Sequence, residues 1–496
     1  MKKVVLNMNE KKKVTLNIMT EIAGKGLLLI ISIIIPKLYI DNYGSEYNGL
    51  LTSLNGIFVY LNLLEAGIGS ASIQALYKPI VNKDNDRISQ ILSATKRNYF
   101  RNGIFFLGCL SVVAFLYPYY SHTNIQYLTV VILVFISAVP YIFKFFFRGK
   151  YTVLLTADNR LYIINFVSYI FHILANIVKI IMLYNRMNVV IIQAAFGITF
   201  MLEIVGIYIY VRRKYKTIDF NAVPDYQAIS KSGSAMIHEI AYVVFSNVDV
   251  LLLTYFCGLK TVSVYSVYNL IYSNLGQLLQ ALTNGTNAAL GQLMFENKDR
   301  YLRNFYKFEY FFQCVSCMVI VSAGAVTREF VILYTVNVSD INYLMQGITV
   351  LFVTIQILSI VRWPGVGAIK AAGMFKETQG RALAEMMINL LLSLALVRPL
   401  GMYGVLLATV VALLYRTIDV IFFTEQRILK NSKGRRPLRV ILLLIFSMCV
   451  FGVEYQFSLF SNSYIDFVLH GIVFFALNSL LFGIFYFVTR KMTVYD

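Results

Sequence analysis

Along nearly the whole chain, apolar residues run in stretches of about 20 or more, separated by short polar breaks. A helix needs roughly that length to cross a hydrocarbon core about 30 Å thick. Breaking the pattern at charges, glycines and prolines predicts six helices near 14–40, 48–77, 88–117, 124–147, 160–184 and 189–211. After the polar connection RRKYKTIDFNAVPDYQAISKSG, six more are predicted near 232–257, 262–293, 303–334, 341–370, 379–397 and 401–425. Two further helices are expected at 438–459 and 464–489. The expected fold class is an all-α integral membrane protein of about 14 transmembrane helices, arranged as two pseudo-symmetric six-helix lobes plus two C-terminal helices. The domain boundaries that follow are 1–213 for the first lobe, 214–231 for a cytoplasmic linker, 232–430 for the second lobe and 431–496 for the extra helices.

Composition agrees with this reading. The 496 residues are 58% hydrophobic and 14% charged, against about 25% charged in soluble domains, and the mean hydropathy is +0.67. The opening MKKVVLNMNEKKKVTLN lacks an apolar signal core and reads as an uncleaved cytoplasmic tail. Most of the 44 Lys and Arg fall in the two tails and in alternate connections, which puts both termini in the cytoplasm by the positive-inside rule. The net charge of +19 is thereby read as topology and attraction to anionic membrane lipids, and a nucleic-acid partner is not expected. The five cysteines lie in or beside apolar runs, and C-x-x-C at 314–317 has no second ligand pair, so no metal site is expected.

The halves repeat faintly. A polar turn precedes the third helix of each, VNKDNDR at 81–87 and ENKDR at 296–300, and the fourth helix of each carries one proline, Pro140 and Pro364. Repeated halves are common in alternating-access transporters.

Charges inside spans cost roughly 2.5 to 3.5 kcal/mol each and usually face a cavity or a partner. Lys25 lies deep in the first helix with Glu21 one turn before it. Arg362 stands beside Trp363 and Pro364, and Arg416 has Asp419 one turn on. These three form the candidate cationic substrate site. Lys179, Arg328 and Arg398 lie near outer ends, where snorkelling accounts for them. Asp249, deep in FSNVDVLLL, is the leading candidate ligand for a coupling ion, Na⁺ or H⁺, with Glu385 and Asn389 as further candidates. Glu203 has no cation near it in sequence. In LEAGIGSAS, Glu65 with Gly67 and Gly69 resembles a nucleotide loop only superficially: there is no preceding strand and no third glycine. The small residues instead permit close helix packing, and Glu65 marks a polar face. No catalytic residue and no cofactor beyond the coupling ion is expected.

Residues 43–84, YGSEYNGLLTSLNGIFVYLNLLEAGIGSASIQALYKPIVNKD, resemble the start of Wzx-type flippases of the MOP (multidrug, oligosaccharidyl-lipid, polysaccharide) superfamily, the specific elements being E-x-G-I-G-S-A and L-Y-K-P. The resemblance implies a transporter, not an enzyme. It would turn an undecaprenyl-pyrophosphate-linked oligosaccharide from the inner to the outer leaflet of the cell membrane for capsule or exopolysaccharide synthesis, alongside a polymerase and glycosyltransferases of the same pathway. It also implies a cation in the first helix, at Lys25 here, and an ion site on helices 7, 11 and 12. A drug exporter and a membrane polymerase or glycosyltransferase are the competing readings; the short outer loops disfavour the enzymes.

Overall fold

The computed structural model describes the backbone of residues 8–65, 68–229, 233–430, 435–457, 461 and 463–489; the side chains of 8–19, 21–23, 25, 233–236, 284, 285, 288 and 435 are outside that description. Gly67 and the side chains of Glu21 and Lys25 therefore lie outside the described residues.

The chain divides into two compact units, Met1–Val243 and Val244–Asp496. In the first, α1 (Met8–Tyr43) is followed by a broken segment, α2 (Ser45–Leu61), a 3₁₀ turn (Asn62–Glu65) and α3 (Ile68–Asn82). Next come α4 (Asn85–Tyr120), then α5 (Tyr127–Phe143) running through a π-helical turn (Lys144–Arg148) into α6 (Gly149–Ala157), then α7 (Leu161–Tyr184) and α8 (Val189–Lys214). The second unit takes most of α9 (Gly233–Cys257), then α10 (Leu259–Glu296), α11 (Lys298–Tyr334), α12 (Ile348–Val361) with α13 (Trp363–Ala371), α14 (Phe375–Leu400) and α15 (Met402–Phe423) with a π turn (Thr424–Leu429). It closes with α16 (Arg435–Gln456) and α17 (Tyr464–Thr489). No strand occurs among the described residues.

Each of the fourteen expected segments has a helical counterpart. Among the described residues twelve are long and apolar enough to cross a membrane unaided, and α2 with α3 makes a thirteenth as a pair bent by 41°. α10 is not among them. Its 38 residues include Asn269, Ser273, Gln277, Gln280, Thr283 and Asn287, polar groups that lipid would not tolerate and that packing against protein can satisfy. It packs on α12 and α13 through glycine notches: a Cβ on Gly276 would come within 2.6 Å of Gln356 Nε2, and one on Gly367 would strike the Asn287 amide.

The faint repeat has a structural content. Asp84 caps α4 by accepting from Arg87 N at 3.0 Å, and Asn297 caps α11 by accepting from Arg300 N at 2.9 Å. These are long helices of 36 and 37 residues. The proline-bearing segment that follows each is irregular. Pro140 lies one turn before the π turn in unit 1, and Pro364 opens α13 after the break at Arg362 in unit 2. Proline cannot supply an amide to the preceding turn, so a helix bends or changes pitch there.

The α14–α15 hairpin turns at Gly401, whose φ of +55° falls where a side chain would be strained. Gly404 on α15 then sits on the carbonyl of Leu396 so closely that any Cβ would collide.

Candidate functional site

Five of the sequence candidates, Arg362, Arg416, Glu385, Asp249 and Asn389, converge in unit 2, in two adjoining clusters built on the α14–α15 hairpin. The first is an ion network. Arg362, at the break between α12 and α13, bonds Glu385 Oε1 of α14 at 2.5 Å. Arg416 of α15 reaches the other oxygen of Glu385 at 3.4 Å and Asp419 at 2.5 Å. Asp419 is held in turn by Arg381 of α14. The Arg362, Glu385, Arg416 and Asp419 side chains are about one-tenth exposed, and Arg381, at 44%, is open to solvent. The Arg362 guanidinium also lies 6.0 Å from the Phe245 ring of α9, and Arg381 lies 5.0 Å from that of Phe423. Three guanidiniums therefore share two carboxylates, and the network retains one positive charge.

The second cluster surrounds Asp249, which is 4% exposed on α9. Thr409 Oγ1 of α15 lies 3.2 and 3.4 Å from its two oxygens, and Tyr265 of α10 also bonds it. Asn389 Nδ2 of α14 donates to Thr409 Oγ1 at 2.9 Å. No cation pairs with Asp249 among the described residues. The Asn389 Oδ1 and Ser393 Oγ atoms are buried without a hydrogen-bond partner. A carboxylate isolated from water is costly, and this one is accompanied by unfilled oxygen acceptors. An oxygen-only set suits a proton or a hard cation rather than a soft transition metal, and no group of three or more His, Cys, Asp or Glu gathers to hold a metal among the described residues.

The structure thus unites Asp249 and Asn389 through Thr409 but gives Glu385, the third ion candidate, to Arg362 and Arg416. Both arginines bear on one carboxylate, a link that sequence spacing does not show. Thr409, Tyr265, Arg381 and Ser393 were not singled out in the sequence; a threonine in LLATVVALL and one tyrosine among 35 carry no distinguishing signal.

Unit 1 resolves two acids. Glu65 ends the 3₁₀ turn and is paired with Lys144, while Tyr99 OH donates to it at 2.7 Å. Glu203 on α8, fully buried, meets Arg148 at 2.8 Å, Ser168 Oγ at 2.6 Å and His172 Nε2 at 3.5 Å. Lys144 and Arg148 are the first and last residues of the π turn. Their neutralising partners are Glu65, at the end of the 3₁₀ turn, and Glu203, within α8. Glu65 stands at a helix break rather than mid-span, and Gly69 is the second residue of α3, where an added Cβ would lie 3.4 Å from Tyr99 OH. Close packing in this region comes from Ala71 and Ser72, buried against α4, with Thr95 donating to Ser72 at 2.9 Å.

Lys179 lies in the last two turns of α7. Its ammonium faces Gln193 Oε1 at 3.5 Å and the Phe196 ring at 4.6 Å, in the wall of a cavity of about 240 Å³ inside unit 1.

The fold is that of MOP-superfamily transporters. The lipid II flippase MurJ in an inward closed conformation superposes with a TM-score of 0.67 at 15% identity, covering 96% of this chain and all of that one. A multidrug resistance MATE transporter of the MOP superfamily in an inward-facing conformation gives 0.63 at 13% identity, covering 84% and 100%. A MOP-superfamily transporter from Pyrococcus furiosus Vc1 (DSM3638), described by the reverse polarity of its binding pocket, gives 0.54 at 14% identity, covering 85% and 97%. No protein-family model matches the chain, and no curated protein matches its sequence.

Proposed function

We propose that this protein is a flippase that carries an undecaprenyl-pyrophosphate-linked oligosaccharide repeat unit from the inner to the outer leaflet by alternating access, in capsule or exopolysaccharide synthesis. The observation that carries the reading is the net-positive network of Arg362, Arg381 and Arg416 around Glu385 and Asp419. An anion crossing a low-dielectric interior needs compensation, and guanidiniums offer forked donors to phosphoryl oxygens. Carboxylates that share those donors in the empty state moderate the affinity, so the anion can be released. The likeness to a lipid II flippase supports a lipid-linked substrate, and Lys25 of the first helix is proposed as the matching cation of the other lobe. A cationic drug would be repelled by the same network. Asp249, with Thr409 and Asn389, is proposed to bind the coupling Na⁺ or H⁺.

Deletion of the gene followed by fractionation of lipid-linked sugars tests this. Complete repeat units should accumulate on the inner leaflet; accumulation of exported but unpolymerised units would identify a polymerase instead. In the complemented strain, Arg362→Ala or Lys25→Ala should stop export while the protein remains in the membrane, and Lys25→Arg should keep part of it.

A further inference from the structure

Unit 1 contains a cavity of about 240 Å³ walled by α1, α2, α5, α7 and α8. At about 30 Å³ per water, it has room for roughly eight waters, or one monosaccharide ring. A single charge enters it. Lys179 of α7 has no carboxylate partner among the described residues; its ammonium is held by Gln193 Oε1 at 3.5 Å and by the rings of Phe196 and Tyr39, 4.6 and 5.8 Å to their centroids. The rest of the wall is uncharged, part apolar (Ile35, Pro36, Leu51) and part polar. Gln193 Nε2 donates to Tyr39 OH at 3.3 Å, Asn48 and Asn55 contribute amides, and Ser137 Oγ is buried with no hydrogen-bond partner. An ammonium without a carboxylate partner within the membrane region is expensive to keep and marks a functional site.

We propose that this cavity binds a carboxylate-bearing sugar, an acidic residue of the transported saccharide. This proposal rests on the flippase reading. One ammonium balances one monoanionic carboxylate. A phosphate dianion would call for a second cation or a guanidinium fork, and neither lines the cavity. The amide and hydroxyl groups match the ring hydroxyls of a sugar, and the Phe196 and Tyr39 rings supply apolar faces for its C–H surface. The arginine network of unit 2 carries the forked donors that suit a pyrophosphate.

The full-length protein in lipid nanodiscs is titrated with glucuronate, glucose and inorganic phosphate, with the melting temperature as readout. Glucuronate should stabilise the wild type, glucose at the same concentration much less and phosphate not at all. Lys179→Met, close in length and apolar, should weaken the glucuronate response at least tenfold; Lys179→Arg should keep most of it. Ser137→Val, which leaves the charge in place, should weaken it to a smaller degree. No response to glucuronate, an equal response to phosphate, or a full response in Lys179→Met would overturn the proposal. A second arm compares transport of lipid-linked oligosaccharides with and without a uronic acid in proteoliposomes. Lys179→Met should slow only the acidic substrate, and equal slowing of both would count against the site. Failure of the wild type to move either lipid would refute the flippase reading, whereas a glucuronate response in the first arm would still stand on its own.

Discussion

At the scale of single residues the sharpest asymmetry in unit 2 is between its two kinds of buried carboxylate. Glu385 and Asp419 each touch two arginines, whereas Asp249 touches only hydroxyls, those of Thr409 and Tyr265. Removing a charge from the first kind strands guanidiniums; removing it from the second strands nothing. Asp249→Asn should therefore leave the protein folded in the membrane and leave substrate binding detectable, while the dependence of transport on the Na⁺ or proton gradient disappears. Gradient-driven uptake of lipid-linked oligosaccharide into proteoliposomes, compared with binding of the same lipid in detergent, distinguishes the two effects. Unchanged gradient dependence would remove Asp249 from coupling. Thr409→Val, which deletes the hydroxyl between Asp249 and Asn389 but keeps the shape, should shift the gradient dependence in the same direction and by less. Asp249 was legible in the sequence because an acid in the middle of an apolar run is conspicuous. Its partners were not, since hydroxyl groups inside helices usually return to their own backbone, as Thr409 also does to Val405 O at 3.1 Å.

At the scale of elements, apolar periodicity reads lengths well and interruptions badly. The sequence reading ran one helix through 48–77, yet the chain breaks it at Asn62–Glu65; the pattern continues across the break because both arms bury apolar faces. The π turns at Lys144–Arg148 and Thr424–Leu429 are equally silent, as they add one residue to a turn without changing composition. They matter for charge. The first aims Lys144 and Arg148 at Glu65 and Glu203, and the second holds Glu425 near Arg436 of α16. Arg436 makes two 2.8 Å bonds to Glu309 of α11, one at 3.3 Å to Glu425 and one at 2.8 Å to the carbonyl of Ile421, while Arg439 reaches Glu309 at 3.1 Å. The Arg436, Arg439 and Glu309 side chains are at most 2% exposed. This knot ties the start of α16 to α11 and α15. Glu309→Gln would leave two buried guanidiniums underpaired, a loss of about 3 to 5 kcal/mol for a broken buried pair. The expected result is a markedly lower melting temperature of the purified protein. Arg362→Ala, at the exposed-edged network, should melt closer to the wild type. A Glu309→Gln protein as stable as the wild type would show that the knot is not what anchors α16.

At the scale of the whole molecule, orientation is decided by the charges at the ends of the helices. The turns now have defined places, and their charges can be read at them. The turns after α3, α6, α8 and α10 hold or adjoin Lys83, Arg160, Lys216 and Lys298. Those after α1, α4 and α11, at Gly44, Ser121–Gln126 and Thr335–Gly347, contain no Lys or Arg; the α7–α8 turn contains Arg186. Lys and Arg near span ends set orientation, since they resist translocation and are drawn to the anionic inner surface. We propose on this ground that the basic turns face the cytoplasm and the neutral turns the outside. A variant lacking all five native cysteines, with one introduced at a time, measures this in intact cells with a membrane-impermeant maleimide. Cysteine at His122 or Val338 should label in intact cells, and cysteine at Lys83, Asn159 or Asn297 only after permeabilisation. The outer α7–α8 turn is the more demanding case, because Arg186 opposes the assignment and only the neighbouring basic turns outvote it; cysteine at Asn185 should nevertheless label from outside. Labelling of Lys83→Cys but not His122→Cys in intact cells would invert the topology, and with it the direction of transport inferred for the arginine network.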